Sequence, residues 1–478
     1  MSFSLFRRGL LVALAVLAMA TVPVPMARYT QDKGPLVTED VLFYAPTPPV
    51  RLQRVLTESA PTAALVVALP EGEVLGNSHK EAFFLRLIQI ATRYVDVLVL
   101  INRDEPLAIL KIKELIARHI SDSDRVLKRV IFFRGMIDTE WVRDYGPLFG
   151  LGDDNRLVLL DNMYRDLRSE GRTERMLLSL GFVKTVEEPT RMSQPANPEV
   201  RANGQYLSDY GEFWRRNDDA APLYFNEFLY LQTHRFSPLV RPPLELSGGD
   251  LAFTESGQMF TSTRTLELNG GEERRFSRLV REYFNVDHVS YLRPLPNSIW
   301  HIDMFFRIAS PRVVMLGDFS DAGKSESGYL KLLHREAKEI LEWNRVLIEE
   351  RLPGVEVVRV PMPPIVQPNG RPASAGRTGI AELDSAIETT GARLKPLSTV
   401  VYRSFLNSVF INRGRGHSVV LVPTFSGLRG MESRVREAYH RAYPGADVHF
   451  INADALAEDF GGIHCVTLTI PALAYRPL

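Results

Sequence analysis

Short apolar runs alternate with longer segments of helical spacing along most of this chain, and that alternation restricts its fold more than any other feature. Residues 63–70 (AALVVALP) read as a buried strand stopped by Pro70, and residues 95–101 (VDVLVLI) as a second. Between them, residues 79–94 place Phe83, Leu87, Ile88 and Ala91 at helical spacing. A helix over 107–119 and a strand over 129–133 follow. The pattern continues with a strand at 156–160, a helix at 172–180 and two short strands around the turn at 255–258. Beyond these come a helix at 275–284, strands at 286–292, 301–308 and 312–316, and a helix at 329–350. The last part gives strands at 409–412, 418–423 and 447–452, with a helix at 433–443. Such alternation predicts a mixed α/β architecture. No stretch reads as an interdomain linker, so one domain of repeated mixed units over residues 38–478 is expected. Segments near 185–235 and 367–395 are polar and rich in turn formers, and read as insertions or long loops.

Composition excludes several function classes. Lys plus Arg and Asp plus Glu both number 57, so no net charge favours nucleic acid or an anionic membrane surface. The N-terminus has a different character. Arg7 and Arg8 precede the apolar run 10–20, Ala18-Met19-Ala20 supplies small residues, and Pro23 and Pro25 follow. That order predicts a signal peptide within residues 1–27 and an exported protein, periplasmic or secreted, with an uncleaved anchor as the other reading. An oxidising compartment rewards paired cysteines, yet the 478 residues contain one, Cys465. A disulfide framework is therefore excluded, and the thiol is either a buried hydrophobe or functional.

Cys465 follows Gly461-Gly462-Ile463-His464 and opens an apolar run, 466–470, that reads as a strand ending at Pro471. Its neighbour His464 would face the opposite side of an extended backbone, so a partner for the thiol has to come from elsewhere in the chain. Two other patches concentrate polar chemistry. One is Trp141-Val142-Arg143-Asp144-Tyr145-Gly146-Pro147, otherwise a polar turn. The other is His301-Ile302-Asp303-Met304, which as a strand would put His301 and Asp303 on one face. A Cys–His pair suits covalent catalysis, and a carboxylate beside it suits electrostatic clamping. His301, Asp303 and Cys465 could also ligate zinc, although no zinc-type spacing is present.

Taken in order, these motifs, Asn407 in Phe405-Leu406-Asn407-Ser408 and Gly461-Gly462-Ile463-His464-Cys465 resemble the bacterial peptidylarginine deiminase and agmatine deiminase family. The resemblance covers roughly residues 60 to 478. It implies the pentein fold, five ββαβ-type units around a pseudo-fivefold axis. It also implies hydrolysis of a guanidinium to a ureido group and ammonia. In that chemistry Cys465 is the nucleophile, His301 the acid and base, and Asp144 and Asp303 the carboxylates that hold the cation. Trp141 and Asn407 would border the substrate, with Gly249 and Asp250 in its wall and Arg165 and Arg168 placed to meet a substrate carboxylate. No metal and no organic cofactor is implied. The partner is a small-molecule or peptide guanidine, with no nucleic acid and no stable membrane partner. The sequence departs from the family at Ser247-Gly248-Gly249-Asp250, where an acid often precedes the glycines and asparagine follows them. An amide-cleaving cysteine hydrolase, an amidinotransferase and a non-catalytic binder of arginine-like ligands are the rival readings.

Overall fold

The structure is a computed structural model that describes residues 50–475, except 104, 136, 163, 165–217, 219–220, 235–236, 297–300, 321–327, 367–399, 415–416 and 458. Its strands form where β-branched and aliphatic residues cluster. They are β1 (Leu52–Val55), β2 (Thr62–Ala68), β3 (Asp96–Asn102), β4 (Val130–Gly135), β5 (Leu148–Gly152), β6 (Leu157–Leu160), β7 (Leu239–Val240) and β8 (Ala252–Phe253). They continue with β9 (Gln258–Ser262), β10 (His288–Leu292), β11 (Phe306–Ser310), β12 (Val313–Asp318), β13 (Glu356–Pro361), β14 (Val409–Ile411), β15 (Val419–Thr424), β16 (Asp447–Asn452) and β17 (Leu468–Pro471).

One topological motif recurs in all five sheets. A strand pairs antiparallel with a second, and a helix then leads to a third strand parallel to the second. This holds for β5-β6-β7, β8-β9-β10, β11-β12-β13 and β14-β15-β16. The fifth unit is split across the sequence: β17 pairs antiparallel with β2, and β2 parallel with β3. Strands β1 and β4 extend the edges of two of these sheets. Parallel strands must be covered on both faces, which explains why every residue of β2 (TAALVVA) and β3 (DVLVLIN) is buried. The crossover helices supply the cover. Ser78–Ala91, capped by the Asn77 side chain accepting from the His79 and Lys80 N–H groups, turns Phe83, Phe84, Leu87 and Ile88 inward. Glu273–Phe284, Gly328–Arg351 and Glu432–Ala442 take the same place in three other units.

The expected repeat of mixed units is present, and most predicted elements lie within a few residues of the observed ones. Four local differences are found. His301 precedes a 3-10 turn, Ile302–Met304, and the strand starts only at Phe306, so His301 and Asp303 do not sit on an extended backbone. Residues 463–466 likewise form a turn, and β17 begins at Leu468 instead of Val466. The segment read as a loop near 185–235 contains a helix, Ala221–Thr233. Strand β13 has no counterpart among the predicted elements; it is half-buried at the edge of its sheet, where apolar patterning is weak. The signal segment 1–27, the helix at 172–180, the 367–395 insertion, Arg165 and Arg168 lie outside the described residues. Among the described residues no helix is long and apolar enough to cross a membrane.

Candidate active site

The five-fold motif has a local consequence. The few residues just before the first strand of each unit cannot join a ladder, and they are where the chain turns its polar side chains together. Asp144 stands before β5, Gly249 and Asp250 before β8, His301 and Asp303 before β11, Asn407 before β14, and Cys465 before β17. Each unit thus contributes one short turn to a shared cluster.

Its floor is Gly249. A methyl group built on Gly249 would lie 2.8 Å from Asp144 Oδ1, 2.8 Å from His301 Nδ1 and 3.1 Å from Asp303 Oδ2. Three side chains, drawn from two other units, therefore converge on one backbone carbon, and only glycine leaves them room. The Gly249 N–H donates to Asp144 Oδ1 at 3.3 Å, and His301 Nδ1 lies 3.5 Å from the same oxygen. Asp144 and Asp303 are buried, whereas the His301 side chain keeps 18% of its surface exposed. The sequence expectation that strand alternation puts His301 and Asp303 on one face is corrected: a 3-10 turn, not a strand, brings both side chains to Gly249.

Cys465 is 5% exposed, and its Sγ lies 3.8 Å from Asp303 Oδ2. Asn407 holds the turn that carries it. The Asn407 Oδ1 accepts from the His464 N–H (2.9 Å) and the Cys465 N–H (3.3 Å), and its Nδ2 donates to Sγ at 3.1 Å. The Gly461-Gly462 pair lets these neighbours approach. A Cβ on Gly462 would lie 2.6 Å from Asn407 Oδ1, and one on Gly461 only 2.1 Å from the Trp141 ring. Trp141 is itself buried against that loop. Burial pushes the Cys465 thiol well above its ordinary value, and the negative charges of Asp303 and Asp144 push it further.

Two sequence expectations are corrected. Asp250, placed in the substrate wall, is fully buried and faces inward. Its Oδ2 accepts from the Thr261 and Ser262 hydroxyls (3.1 and 2.6 Å), the Ser262 N–H (3.2 Å) and the Thr265 hydroxyl, and its Oδ1 from the Ile302 N–H at 3.1 Å. Burial raises its pKa to about 6 against those donors, leaving a carboxylate at neutral pH that fixes the start of the 301–304 turn. His464, which an extended chain would turn away, is 3% exposed and joins the cluster: its Nδ1 lies 2.7 Å from Asp303 Oδ2. Its Nε2 lies 2.5 Å from Glu58 Oε1, a residue that no sequence motif marks. A Gly-Gly pair before His464 and a Thr after Cys465 are the available signs of a turn there; Glu58 stands in a polar loop.

Among the described residues no group of three or more His, Cys, Asp and Glu is arranged to hold a metal ion. The cluster instead brings together two carboxylates, an imidazole and a thiol. No curated protein sequence matches the chain. Solved structures do. A putative arginine deiminase from Porphyromonas gingivalis is 16% identical with a TM-score of 0.58, over 88% of this chain and 99% of that one. Agmatine deiminase of Enterococcus faecalis is 14% identical with a TM-score of 0.59, over 87% and 95%. The agmatine deiminase of C. jejuni is 15% identical with a TM-score of 0.56, over 87% and 96%. At these identities the likeness establishes the fold, which is the pentein fold. The family model for Porphyromonas-type peptidyl-arginine deiminase matches residues 54–471, most of the chain, and the protein belongs to that family of guanidino-group deiminases, hydrolases of C–N bonds in amidines.

Proposed function

We propose that the protein is an exported deiminase that converts the guanidinium of arginine, peptidyl-arginine or an agmatine-like compound to a ureido group and ammonia, with Cys465 as nucleophile. The observation that carries this reading is the convergence of Asp144, His301 and Asp303 on Gly249, with Cys465 Sγ beside Asp303. A guanidinium is planar and cationic, and two carboxylates hold it through charge-assisted hydrogen bonds. Asp303 Oδ1 is buried and has no hydrogen-bond partner among the described residues, so it is available to a substrate N–H.

The bound cation reverses the electrostatics that keep Cys465 neutral, and the thiol passes its proton to His301. The thiolate attacks the guanidinium carbon to form a C–S bond. His301 protonates one amino nitrogen, which leaves as ammonia and yields a thiouronium. A water molecule, deprotonated by His301, then adds to the same carbon, and the C–S bond breaks to release the ureido product and restore the sulfur. Export rests on the basic, apolar and small-residue order of residues 7–20. Residues 38–478 form the single catalytic domain in this reading, with its insertions near 185–235 and 367–395.

The test incubates the protein with agmatine, free arginine and peptides ending in arginine, measuring ammonia and ureido product. Turnover of one of them that vanishes in Cys465→Ala is the expected result. No product from any guanidine, or undiminished activity in the variant, refutes the reading. Export is tested separately by fractionating cells that express the full chain.

A further inference from the structure

Behind the cluster, a chain of polar side chains in contact runs from Asp303 through His464 to Glu58. Both ring nitrogens of His464 face carboxylates: Nδ1 meets Asp303 Oδ2 at 2.7 Å and Nε2 meets Glu58 Oε1 at 2.5 Å. An ionised carboxylate only accepts hydrogen bonds, so the contact with Asp303 makes Nδ1 the donor. Glu58 is held in turn by two arginines. Arg143 Nη1 lies 2.9 Å from its Oε1, and Arg307 Nη2 lies 2.8 Å from its Oε2. Those arginines are themselves fixed: Arg143 Nε donates to the Thr467 carbonyl at 3.1 Å, and Arg307 Nε to the Tyr443 hydroxyl at 2.8 Å. Arg143 precedes Asp144 in the chain, Arg307 follows Asp303 on β11, and His464 precedes Cys465, so the rear network is tied to three residues of the cluster. Burial would raise the pKa of Glu58, yet His464, Arg143 and Arg307 together hold it well below the usual carboxylate range.

This arrangement has a directional effect on Asp303. His464 occupies Oδ2, while Oδ1 is left buried without a hydrogen-bond partner among the described residues. We propose that His464 is a positioning residue whose Nδ1–H bond fixes Asp303 as an oriented anion for a cationic guanidine. The inference rests on the deiminase reading for its substrate, but not for its test.

The test exploits the shape of the imidazole. Asparagine places its amide nitrogen where histidine has Nδ1, and glutamine places its own near Nε2. His464→Asn therefore keeps the bond to Asp303 and gives up the one to Glu58, while His464→Gln does the reverse. The readout is the ratio of Cys465 alkylation rates by 2-chloroacetamidine, a cation, and 2-chloroacetamide, its neutral counterpart. The ratio reports cation capture by the carboxylates without any turnover. We expect it to stay within about threefold of the wild-type value in His464→Asn and to fall about tenfold or more in His464→Gln, the loss that accompanies a charge-assisted hydrogen bond. With a guanidine that is turned over, His464→Gln raises KM more than it lowers kcat, and His464→Asn restores KM. Equal ratios in the two variants, or the reverse order, overturn the proposal. Should one replacement fail to fold by circular dichroism, the other decides: about a tenfold fall in His464→Asn, or a ratio within about threefold of wild type in His464→Gln, overturns the proposal. A wild-type protein that turns over no guanidine while its variants keep this order removes the deiminase reading alone.

Discussion

Replacing Gly249 by alanine separates activity from stability at a single atom. The Gly249 φ angle lies outside the left-handed region, so alanine can adopt its backbone conformation. The added methyl group, however, falls 2.8 Å from both Asp144 Oδ1 and His301 Nδ1 and 3.1 Å from Asp303 Oδ2, where ordinary contact starts at 3.4 Å. Two side chains must therefore retreat by about 0.6 Å and the third by about 0.3 Å. All three atoms are side-chain ends, which can yield without moving the backbone. Stability should change little, since relief of glycine's unfolded-state entropy, about 0.4–1 kcal/mol, offsets part of the crowding. Activity is more exposed: a misplacement near 1 Å costs about a hundredfold, so kcat/KM should fall roughly 10- to 100-fold. Gly248→Ala is the control. Its methyl would lie 2.0 Å from the Arg143 carbonyl oxygen, a backbone atom, and should cost about 1–3 kcal/mol or more of stability. The assay pairs thermal melts with ammonia release from the best guanidine substrate. A Gly249→Ala protein with wild-type kcat/KM, or one that melts as early as Gly248→Ala, would refute the reasoning.

Other perturbations address separate links. Asp250→Asn places an amide against donors that now meet a carboxylate, and should cost about 1–3 kcal/mol in denaturant unfolding, with loss of activity from the displaced 301–304 turn. Alkylation of Cys465 by a neutral reagent should keep accelerating above pH 9, because burial and the two carboxylates raise the thiol above its ordinary value of 9.0; a rate that levels off near pH 8 contradicts that electrostatic account. Glu58 has a depressed folded pKa, so its contribution to stability is present above its ordinary value of 4.5 and is lost as pH falls through the depressed one. Melting temperature should accordingly drop more steeply below about pH 4.5 in the wild type than in Glu58→Gln, by a modest margin because a third of the Glu58 side chain is exposed and screened; parallel curves would contradict the assignment.

The repeat and the cluster are legible in the sequence for different reasons. Strands such as β2, β3 and β15 are buried on both faces and read as continuous apolar runs, so their existence follows from hydrophobicity. The residues of the cluster sit in short motifs, each beside a turn, and it is the resemblance of those motifs, in order, to the deiminase family that associates them. Their geometry is not legible. His301 and Asp303 read as part of a strand because the apolar residues after them form one, but the Ile302 N–H is taken by Asp250, from a different unit, and a turn forms instead. His464 misleads by the same rule: strand alternation extends back on paper across 463–466, where Asn407 holds the backbone in a turn. Glu58 gives no local sign, since its partners Arg143, Arg307 and His464 are all distant in sequence.

The pairing of β17 with β2 also dictates when the protein can become chemically competent. Leu468 meets Val66, and Cys465 lies only three residues ahead of Leu468, so the thiol is made after Asp144, His301, Asp303 and Asn407 and reaches its place when β17 pairs with β2. Asp144, His301, Asp303 and Asn407 can be synthesised, and their sheets formed, before the sulfur joins them. Such long-range closure is slow, because its entropy is lost before the contacts reward it. A chain in which β17 has not yet docked on β2 consequently carries its one thiol apart from Asp144, His301 and Asp303. Docking of β17 on β2 is thus the step that completes the cluster.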